Sequence, residues 1–545
     1  MKAGRSSSRA CLLLLTVALV AVAVVGPSPA TRAQAAAPTP AATYHLDAAV
    51  DLASATVTVA ETVQLRNVVG VPLGSLVFRA VPNTLGLFAL ASAAVDGQAV
   101  SPKLDGSVLE LPLTQPLAPS ATTVVDLRYS LDVPRDPGRL TASPRAMALG
   151  YWFPMLAVHH GDWDRRQFVD VGDATFGEVA DFDLTVTTSE PAHVVATGQR
   201  VEQVGNRSRF QASSVRDVAV SISPDFVVKR VTVGGSTLEV AAFGEDRAAF
   251  YLSRGAEFLK WAGDRLRPYP YPVLTVVDAE LPASYGGLEY PGLIFISRVY
   301  RVSDHPEGES IDSLYLHEVL HQWFYALVGN DQIADPWLDE AFVTYLTYAY
   351  YRESLPRAAP SVYERTIAGG GTGAIDTTVY DYPSDAPYFG VVYRRGARFL
   401  EALQSKLGDG PFWALLRDYV DTFRDRIATP RAFLDRAQGA TQSSLAPLIS
   451  DYFTYGAFRT PTPRNWTLDA PTGPWVGSAS LFVAADFPVT RVQVWLDQRK
   501  MADGPANAVT LDLTGVEPGS YVLLVQVCDH DDVLFERARR VEIGT

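Results

Sequence analysis

The first half of the chain contains short runs in which apolar and polar residues alternate. Val57 and Val59 alternate with mostly polar neighbours, and the same pattern recurs around Val124–Leu131 and Phe182–Val186. Residues two positions apart lie on the same face of a β-strand. Gly, Pro, Asn and Asp, which favour turns, separate these runs at short intervals. We therefore predict an antiparallel β domain of sandwich type over residues 44–230.

The pattern changes at about residue 231, where helical periodicity begins to dominate. Two or three strands are expected first, followed by an amphipathic helix at Asp246–Leu266 and a strand at Val273–Val277. Helical periodicity then continues from Ser310 to about Tyr455. These elements predict an α/β domain over residues 231–460.

Short alternating strands return after this domain, for example at Val489–Leu496 and Val509–Leu513. They predict a small C-terminal β-sandwich domain over residues 466–545. The fold class expected for the whole chain is therefore multidomain α+β, with an α/β domain between two β domains.

The N-terminal segment has the pattern of a secretory signal peptide. Basic residues precede a largely apolar run at Ala10–Val25, and Ala33-Gln34-Ala35 provides a small-x-small cleavage pattern. We predict a signal peptide at 1–35, a linker at 36–43 and an extracytoplasmic location. The alternative is a retained membrane anchor, but the run of 16 residues is shorter than the roughly 20 that span a bilayer. No stable span is expected after cleavage.

Composition and charge exclude one class of partner. The chain has 48% hydrophobic and 19% charged residues, as in ordinary globular proteins, and its formal net charge is -14. A strongly acidic chain lacks the basic face that binds phosphates, so nucleic acid is not expected as a partner. The chain contains only Cys11 and Cys528. Signal cleavage would leave one of them, which excludes an intramolecular disulfide.

The strongest chemical signal is the HExxH motif formed by His317, Glu318 and His321. Two histidines at i and i+4 share one face of a helix, so both can bind one metal ion. Glu318 lies one step around the helix, where a carboxylate can take a proton from water. The alternative interpretation is two surface histidines on an amphipathic helix.

Glu340 is the candidate for a third metal ligand. It follows His321 after 18 intervening residues, early in a helix that Asp335 and Pro336 are expected to start. A catalytic zinc ion usually has three protein ligands and one open position. The sequence therefore predicts a site for one zinc ion per chain, with His317, His321 and Glu340 as its ligands.

This ligand spacing resembles the aminopeptidase N family of gluzincin zinc metallopeptidases. That family also carries a Gly-x-Met-Glu-Asn motif upstream, and this chain has Gly286-Gly287-Leu288-Glu289-Tyr290 at the matching place. The resemblance implies that Glu289, Gly286 and Gly287 bind substrate, with Glu289 on the free α-ammonium group. Tyr290 in place of Asn is a departure that could change how the peptide backbone is held.

The family's third signature is a tyrosine shortly before a glycine that opens a helix. Tyr393 fits, because Gly396 follows three residues later and a helical run, Ala397–Leu403, comes next. The implied role is a hydrogen bond to the oxyanion of the tetrahedral intermediate. The competing candidates are Tyr363, Tyr380, Tyr382 and Tyr388.

The resemblance covers roughly residues 44–460 and implies a thermolysin-like catalytic domain. Family members often continue into a large helical domain that covers the active site, whereas strands are expected here, so the site could be more open.

The implied function is a zinc aminopeptidase acting on peptides with a free N-terminus. The alternatives are a zinc metalloendopeptidase and a non-catalytic binding module of the same fold. The Asp339-Glu340-Ala341 segment replaces the family's Asn-Glu-Gly and retains the ligand.

Overall fold

The structure is a computed structural model. It describes residues 41–453, except 161, 283 and 304, and residues 466–544 with gaps at 472, 486–488, 490, 497–498, 505–507 and 529–533. The predicted signal peptide and most of the predicted linker lie outside these ranges. Within them, no helix combines the length and apolar character needed to cross a membrane.

The N-terminal region is built almost entirely from strands. They are β1 (Ala42–Asp51), β2 (Thr56–Arg66), β3 (Leu73–Arg79), β4 (Phe88–Val95), β5 (Gln98–Ala99), β6 (Lys103–Asp105), β7 (Val108–Leu117), β8 (Thr122–Asp132), β9 (Leu140–Ser143), β10 (Ala146–Leu149), β11 (Met155–Leu156), β12 (His159–His160), β13 (Asp162–Trp163), β14 (Ala180–Thr188), β15 (His193–Ala196), β16 (Gln199–Val204), β17 (Arg207–Val215) and β18 (Val220–Ser223), with one helical turn, α1 (Val81–Thr84).

The main sheet of this region has eight strands in the order β16-β17-β14-β1-β2-β8-β4-β5. Its inner face follows from the alternation in the sequence. Val57 and Val59 on β2 pair with Leu131 and Tyr129 on β8, and all four side chains are buried. Two four-stranded sheets, β15-β18-β10-β9 and β11-β3-β7-β6, contribute apolar residues to the same core.

The central region combines one sheet with most of the helices. Its elements are β19 (Val227–Val233), β20 (Ser236–Ala242), α2 (Glu245–Arg265), β21 (Val273–Ala279), β22 (Gly287–Tyr290), β23 (Leu293–Ser297), α3 (Ser310–Leu320), β24 (Val328–Gly329), α4 (Trp337–Ser354), α5 (Ala359–Thr366), a 3₁₀ turn (Val379–Asp381), α6 (Asp385–Tyr388), a π-helix (Phe389–Arg395), α7 (Gly396–Leu407), α8 (Asp409–Phe423), β25 (Arg426–Ile427), α9 (Pro430–Gly439) and α10 (Ala446–Tyr452).

The five-stranded sheet of this region has the order β19-β20-β21-β23-β22, so β22 is an edge strand. The sheet begins at Val227, before the boundary expected at residue 231. The reason is a tight hairpin in which Gly234 and Gly235, with φ of 59° and 97°, connect β19 to β20. Helices α2, α3 and α4 pack together in the same apolar core as the sheet.

The C-terminal region again consists of strands. They are β26 (Trp466–Asp469), β27 (Ser478–Ala485), β28 (Arg491–Leu496), β29 (Arg499–Gly504), β30 (Ala508–Asp512), β31 (Gly519–Cys528) and β32 (Leu534–Ile543). They form two sheets, β26-β27-β30 and β29-β28-β31-β32, around a separate apolar core. The multidomain α+β fold class predicted from the sequence is confirmed.

Arg216 joins the N-terminal β region to the central region. Its side chain is buried and donates hydrogen bonds to three backbone carbonyls, at 3.0 Å to Tyr325, 2.9 Å to Gly177 and 2.7 Å to Arg426. Gly329 makes room for the guanidinium group, because a Cβ there would lie 2.2 Å from the Arg216 Cζ atom. Tyr325 follows the end of α3, so this contact fixes the chain next to the predicted metal ligands.

We predict that Arg216→Met lowers the free energy of unfolding by about 3 kcal/mol or more, because it leaves buried carbonyls without donors. The urea midpoint of the purified protein measures this change. Arg209→Met is the matched control, since Arg209 pairs with Asp183 at the surface and such pairs contribute little. Equal midpoints for the two variants would contradict the structural role of Arg216.

Candidate metal centre and active site

The site forms where edge strand β22 lies against helix α3. Gly286 has a φ of 73°, a backbone conformation that favours glycine. A Cβ on Gly287 would lie 2.4 Å from the Glu318 Oε1 atom, so only glycine permits this close approach. The two glycines therefore allow the strand to run directly beside the HExxH helix.

His317, His321 and Glu340 bring three possible ligand atoms together. The Glu340 Oε2 atom lies 3.2 Å from His317 Nε2 and 3.4 Å from His321 Nε2, and the two Nε2 atoms are 3.3 Å apart. A tetrahedral ion with bonds of about 2.0–2.1 Å places its ligand atoms about 3.4 Å apart. The three atoms thus have the separations that a tetrahedral zinc ion requires. We call them the ligand triangle.

The hydrogen bonds around the ligand triangle leave its metal-facing atoms available. Helix α3 ends at Leu320 with His321 as its C-cap, and the chain then turns so that the Phe324 carbonyl lies 3.1 Å from His321 Nδ1. A proton on Nδ1 leaves the Nε2 lone pair for a metal. The buried Glu340 Oε2 atom has no hydrogen-bond partner within the described ranges. A buried carboxylate oxygen without a donor, facing two imidazoles, is suited to bind a cation.

Glu340 is held by the start of helix α4. The helix begins at Trp337 with Pro336 as its N-cap, one residue later than the sequence pattern suggested. Asp339 accepts a hydrogen bond of 2.7 Å from the Glu340 backbone N–H and one of 2.8 Å from Gln332. Burial raises the pKa of Asp339 to about 7. The aspartate that replaces the family's asparagine thus orients the ligand next to it.

Tyr393 is the candidate tyrosine that the structure brings to the ligand triangle. Its hydroxyl donates a hydrogen bond of 2.6 Å to Glu340 Oε1, and its ring is parallel to that of His317, with 5.7 Å between centroids. It lies on the π-helix, a form of helix frequent at functional sites. Gly396 permits this placement, because a Cβ there would lie 2.5 Å from the Ala341 Cβ atom.

The other candidate tyrosines have different partners. Tyr382 bonds to Thr377, Tyr380 donates to the Gln167 carbonyl, and Tyr363 lies 3.4 Å from Glu401. Tyr388 is fully buried, with its ring against that of Tyr393. We therefore retain Tyr393 as the candidate oxyanion donor.

Glu289 lies beside the ligand triangle together with an acid that the sequence analysis missed, Asp173. Carboxylate oxygens of Asp173, Glu289 and Glu340 lie within 4.8 Å of one another. Asp173 belongs to the N-terminal β region and is hydrogen-bonded to the buried Arg139, which also bonds to the Gly172 carbonyl. No periodicity or motif marks the loop that carries Asp173, so nothing in the sequence indicated its place in the site.

Several carboxylates lie close together in the cleft, and their burial and mutual repulsion shift their pKa values. Burial, together with neighbouring acids, raises the pKa of Glu289 well above its usual range, and burial has the same effect on the pKa of Glu318. Burial opposes ionisation of Glu340 too, but the two imidazoles lower the pKa of its carboxyl to about 2. Cations, whether a metal ion or a protonated amine, relieve such repulsion.

Tyr290, which stands where the family motif has Asn, has a side chain that lies outside the cleft. Its side chain is almost fully buried and packs against Tyr151 and Phe295. Its hydroxyl points at Gly150, where a Cβ would lie 1.8 Å away. The tyrosine thus supports the contact between the N-terminal and central regions, and it does not line the cleft.

The site occupies a cleft of about 340 Å³, lined by the ligand triangle, Glu318, Glu289 and Tyr393. This size is typical of small-molecule and peptide sites. The triangle, an adjacent carboxylate and a tyrosine hydroxyl lie on an edge strand and two packed helices, which is the arrangement expected from the resemblance to gluzincin metallopeptidases.

Comparison with known proteins identifies a family that the chain resembles. Residues 250–452 match the model described as the peptidase family M1 domain. The resemblance predicted from the sequence is confirmed. Probable aminopeptidase 1 of Sulfurisphaera tokodaii is 23% identical over 201 residues, which cover 34% of this chain and 25% of that protein. Leukotriene A-4 hydrolase of Xenopus laevis is 26% identical over 200 residues, covering 33% and 31%.

The matched segment spans a third or less of the length of these curated relatives. Solved structures show similarity over more of the chain. The M1 zinc metallopeptidase of Deinococcus radiodurans has a TM-score of 0.56 at 22% identity, covering 75% of this chain and 91% of that one. A mutant of it bound to the substrate Tyr-Ser-Ala has a TM-score of 0.57 at 20% identity, covering 75% and 92%. This likeness supports the fold.

We predict that Glu340→Ala loses most of its bound metal, because two imidazoles alone leave the ion without its third protein ligand. Metal analysis of the purified variant after dialysis measures the occupancy. Glu318→Gln is the control and should keep about one ion per chain, since Glu318 lies outside the triangle. Full occupancy in Glu340→Ala would place the third ligand elsewhere.

Proposed function

We propose that this protein is a zinc aminopeptidase that removes residues from the N-termini of peptides. Two carboxylates, Glu289 and Asp173, lie directly beside the ligand triangle, and their position is the main support for the proposal. A peptidase site without such groups treats chain ends and chain interiors alike. Two acids next to the reacting centre favour a substrate whose cationic end lies one residue from the bond that is cut.

His317, His321 and Glu340 would hold the zinc ion, which would supply a Lewis acid for water and for the scissile carbonyl. Glu318 accepts a proton from the attacking water and later donates it to the leaving amine. Tyr393 donates its hydroxyl proton in a hydrogen bond to the developing oxyanion. In the structure this hydroxyl donates a hydrogen bond to Glu340 Oε1. When substrate binds, the hydroxyl donates to the substrate oxygen instead.

Recognition of the free N-terminus rests on Glu289 and Asp173. The α-ammonium group of a bound peptide lies between their carboxylates and compensates part of the buried negative charge. Arg139 already neutralises one side of Asp173 and fixes its orientation. The related M1 zinc metallopeptidase described as bound to the substrate Tyr-Ser-Ala is consistent with a short peptide in such a cleft.

We predict that the enzyme cleaves a peptide with a free N-terminus roughly a hundredfold better than its N-acetylated form, because acetylation leaves buried carboxylates uncompensated. Ratios of kcat/KM for matched peptides measure the preference. Glu289→Gln and Asp173→Asn should each reduce it by about tenfold or more.

Asp225→Asn is the control for these two variants and should keep the preference, since Asp225 pairs with Arg145 at the surface and does not line the cleft. Efficient cleavage of acetylated peptides by the unmodified enzyme would favour the endopeptidase alternative.

For the proton transfer, we predict that Glu318→Gln retains zinc and loses turnover by roughly a hundredfold or more, because glutamine cannot accept the proton. Steady-state rates of the metal-loaded variant measure this loss. Turnover near that of the unmodified enzyme would remove Glu318 from the reaction.

For the oxyanion, Tyr393→Phe should lower kcat by about a hundredfold with little change in KM, because a donor to the transition state contributes little to substrate binding. Tyr382→Phe is the control, since its hydroxyl bonds to Thr377. A loss confined to KM would assign Tyr393 to substrate binding instead.

The sequence pattern at the N-terminus supports export of the enzyme. The basic start, the apolar run and the Ala33-Gln34-Ala35 pattern favour cleavage by a signal peptidase and action outside the cytoplasm. The mass of the mature protein tests this: a chain beginning near residue 36 is expected, and an intact N-terminus would favour a retained anchor.

A further inference from the structure

The cleft has a direction, which helix α3 and strand β22 set together. Gly286 lies beside Leu314, and Gly287 lies beside Glu318. Glu289, further along the strand, has a carboxylate within 4.8 Å of ligand atoms of Glu318 and His321. The two elements thus run side by side, with the acidic end of the cleft at the C-terminal end of α3.

The opposite end lies at the N-terminal end of α3. Ser310, Ser313 and Leu314 line it, at helical spacing from His317. Ser310 precedes His317 by seven positions, which corresponds to about 10 Å along the helix axis. The cleft therefore continues well past the ligand triangle, away from Glu289.

Two arginines, Arg365 and Arg394, line the cleft in addition to Arg139. Arg365 donates to the Ser361 hydroxyl and to the Gly308 carbonyl, which places it just before the start of α3. Arg394 donates one hydrogen bond of 3.1 Å to the Ala368 carbonyl. No carboxylate of the described residues forms an ion pair with either arginine.

This lack of acid partners distinguishes the two arginines from Arg139, whose charge is neutralised by Asp173. Local structure holds both of them in place. Arg394 directly follows Tyr393 on the π-helix, and both side chains line the cleft. Arg365 lies in the last turn of α5, which packs against α4. The cleft thus has two guanidinium groups without acid partners in the described part of the chain beyond the ligand triangle, and crowded carboxyl groups beside Glu289.

We propose that Arg365 and Arg394 bind the C-terminal carboxylate of the substrate, so that the enzyme selects short peptides by both of their charged ends. This inference rests on the proposed aminopeptidase function. An extended peptide with its ammonium group at Glu289 runs past the ligand triangle toward Ser310. Guanidinium groups are the favoured partners of carboxylates, because their donors match both oxygens.

The length of the cleft sets the length of the preferred peptide. An extended chain advances at most about 3.3–3.6 Å per residue, so the 10 Å beyond the ligand triangle accommodates two or three residues after the scissile bond. Tripeptides and tetrapeptides are therefore the substrates whose carboxylate reaches the two arginines. Longer peptides extend past them and lose this interaction.

The test compares a tripeptide and a tetrapeptide as free acids with the same peptides as C-terminal amides. The free acids should have kcat/KM values roughly ten- to a hundredfold higher, the range of one charge-assisted hydrogen bond. Arg394→Gln and Arg365→Gln should each reduce this ratio by about tenfold. Because both substrates are measured on the same enzyme preparation, partial misfolding of a variant does not alter the ratio.

Arg398→Gln is the matched control. Arg398 contacts the Ile367 carbonyl close to the other two arginines but does not line the cleft, so the ratio should not change. Equilibrium binding by calorimetry in the Glu318→Gln background gives a second readout that does not depend on turnover. There too the free acid should bind more tightly than the amide.

Equal rates and equal affinities for acid and amide would overturn the proposal, as would a preference for acid that survives in both arginine variants. Peptides of about ten residues should show no acid preference, and an equal preference at that length would also contradict it. If peptides with a free N-terminus are not cleaved in either form, the aminopeptidase function fails instead. The binding comparison still decides whether the carboxylate site exists.

Discussion

The site depends on a concentration of buried carboxylates that the protein alone cannot neutralise. Glu289, Glu318 and Glu340 are each at most 5% exposed, and Asp173 lies within 4.8 Å of two of them. Buried charges of one sign are costly unless cations compensate them. The two imidazoles compensate mainly Glu340, and Arg139 compensates Asp173. The remaining charge favours a metal ion at one place and a substrate ammonium group at another.

Close contacts between backbone segments allow these carboxylates to lie together. Gly287 lets the edge strand touch the helix at Glu318, and Gly396 lets the helix after Tyr393 touch the helix that carries Glu340. A methyl group at Gly287 would displace the Glu318 side chain, and one at Gly396 would force the two helices apart. The proposed sites for the metal ion and for the substrate ammonium group depend on oxygen and nitrogen atoms that lie about 3–5 Å apart. The glycines are therefore as important for these separations as the charged residues are.

Much of the fold and of the metal centre could be predicted from the sequence, because both depend on local periodicity. The spacing of His317 and His321 places both on one helix face, and Glu340 falls in the first turn of the next long helix. Asp173 and Arg139 could not be predicted, since they reach the cleft from loops of another region. The sequence does not indicate the π-helix either, because tertiary packing determines where such a helix forms. Arg394 was therefore missed, although it adjoins Tyr393.

Asp173 belongs to the N-terminal β region, whereas Glu289 belongs to the catalytic sheet. The proposed subsite for the substrate ammonium group is therefore shared between two structural units, while the proposed hydrolytic groups lie in one of them. A displacement of about 1 Å between the units would alter selectivity and leave hydrolytic chemistry intact. The proposed preference for chain ends would therefore depend on the contact between the two regions, and a stiffer contact would make the choice of substrate more accurate.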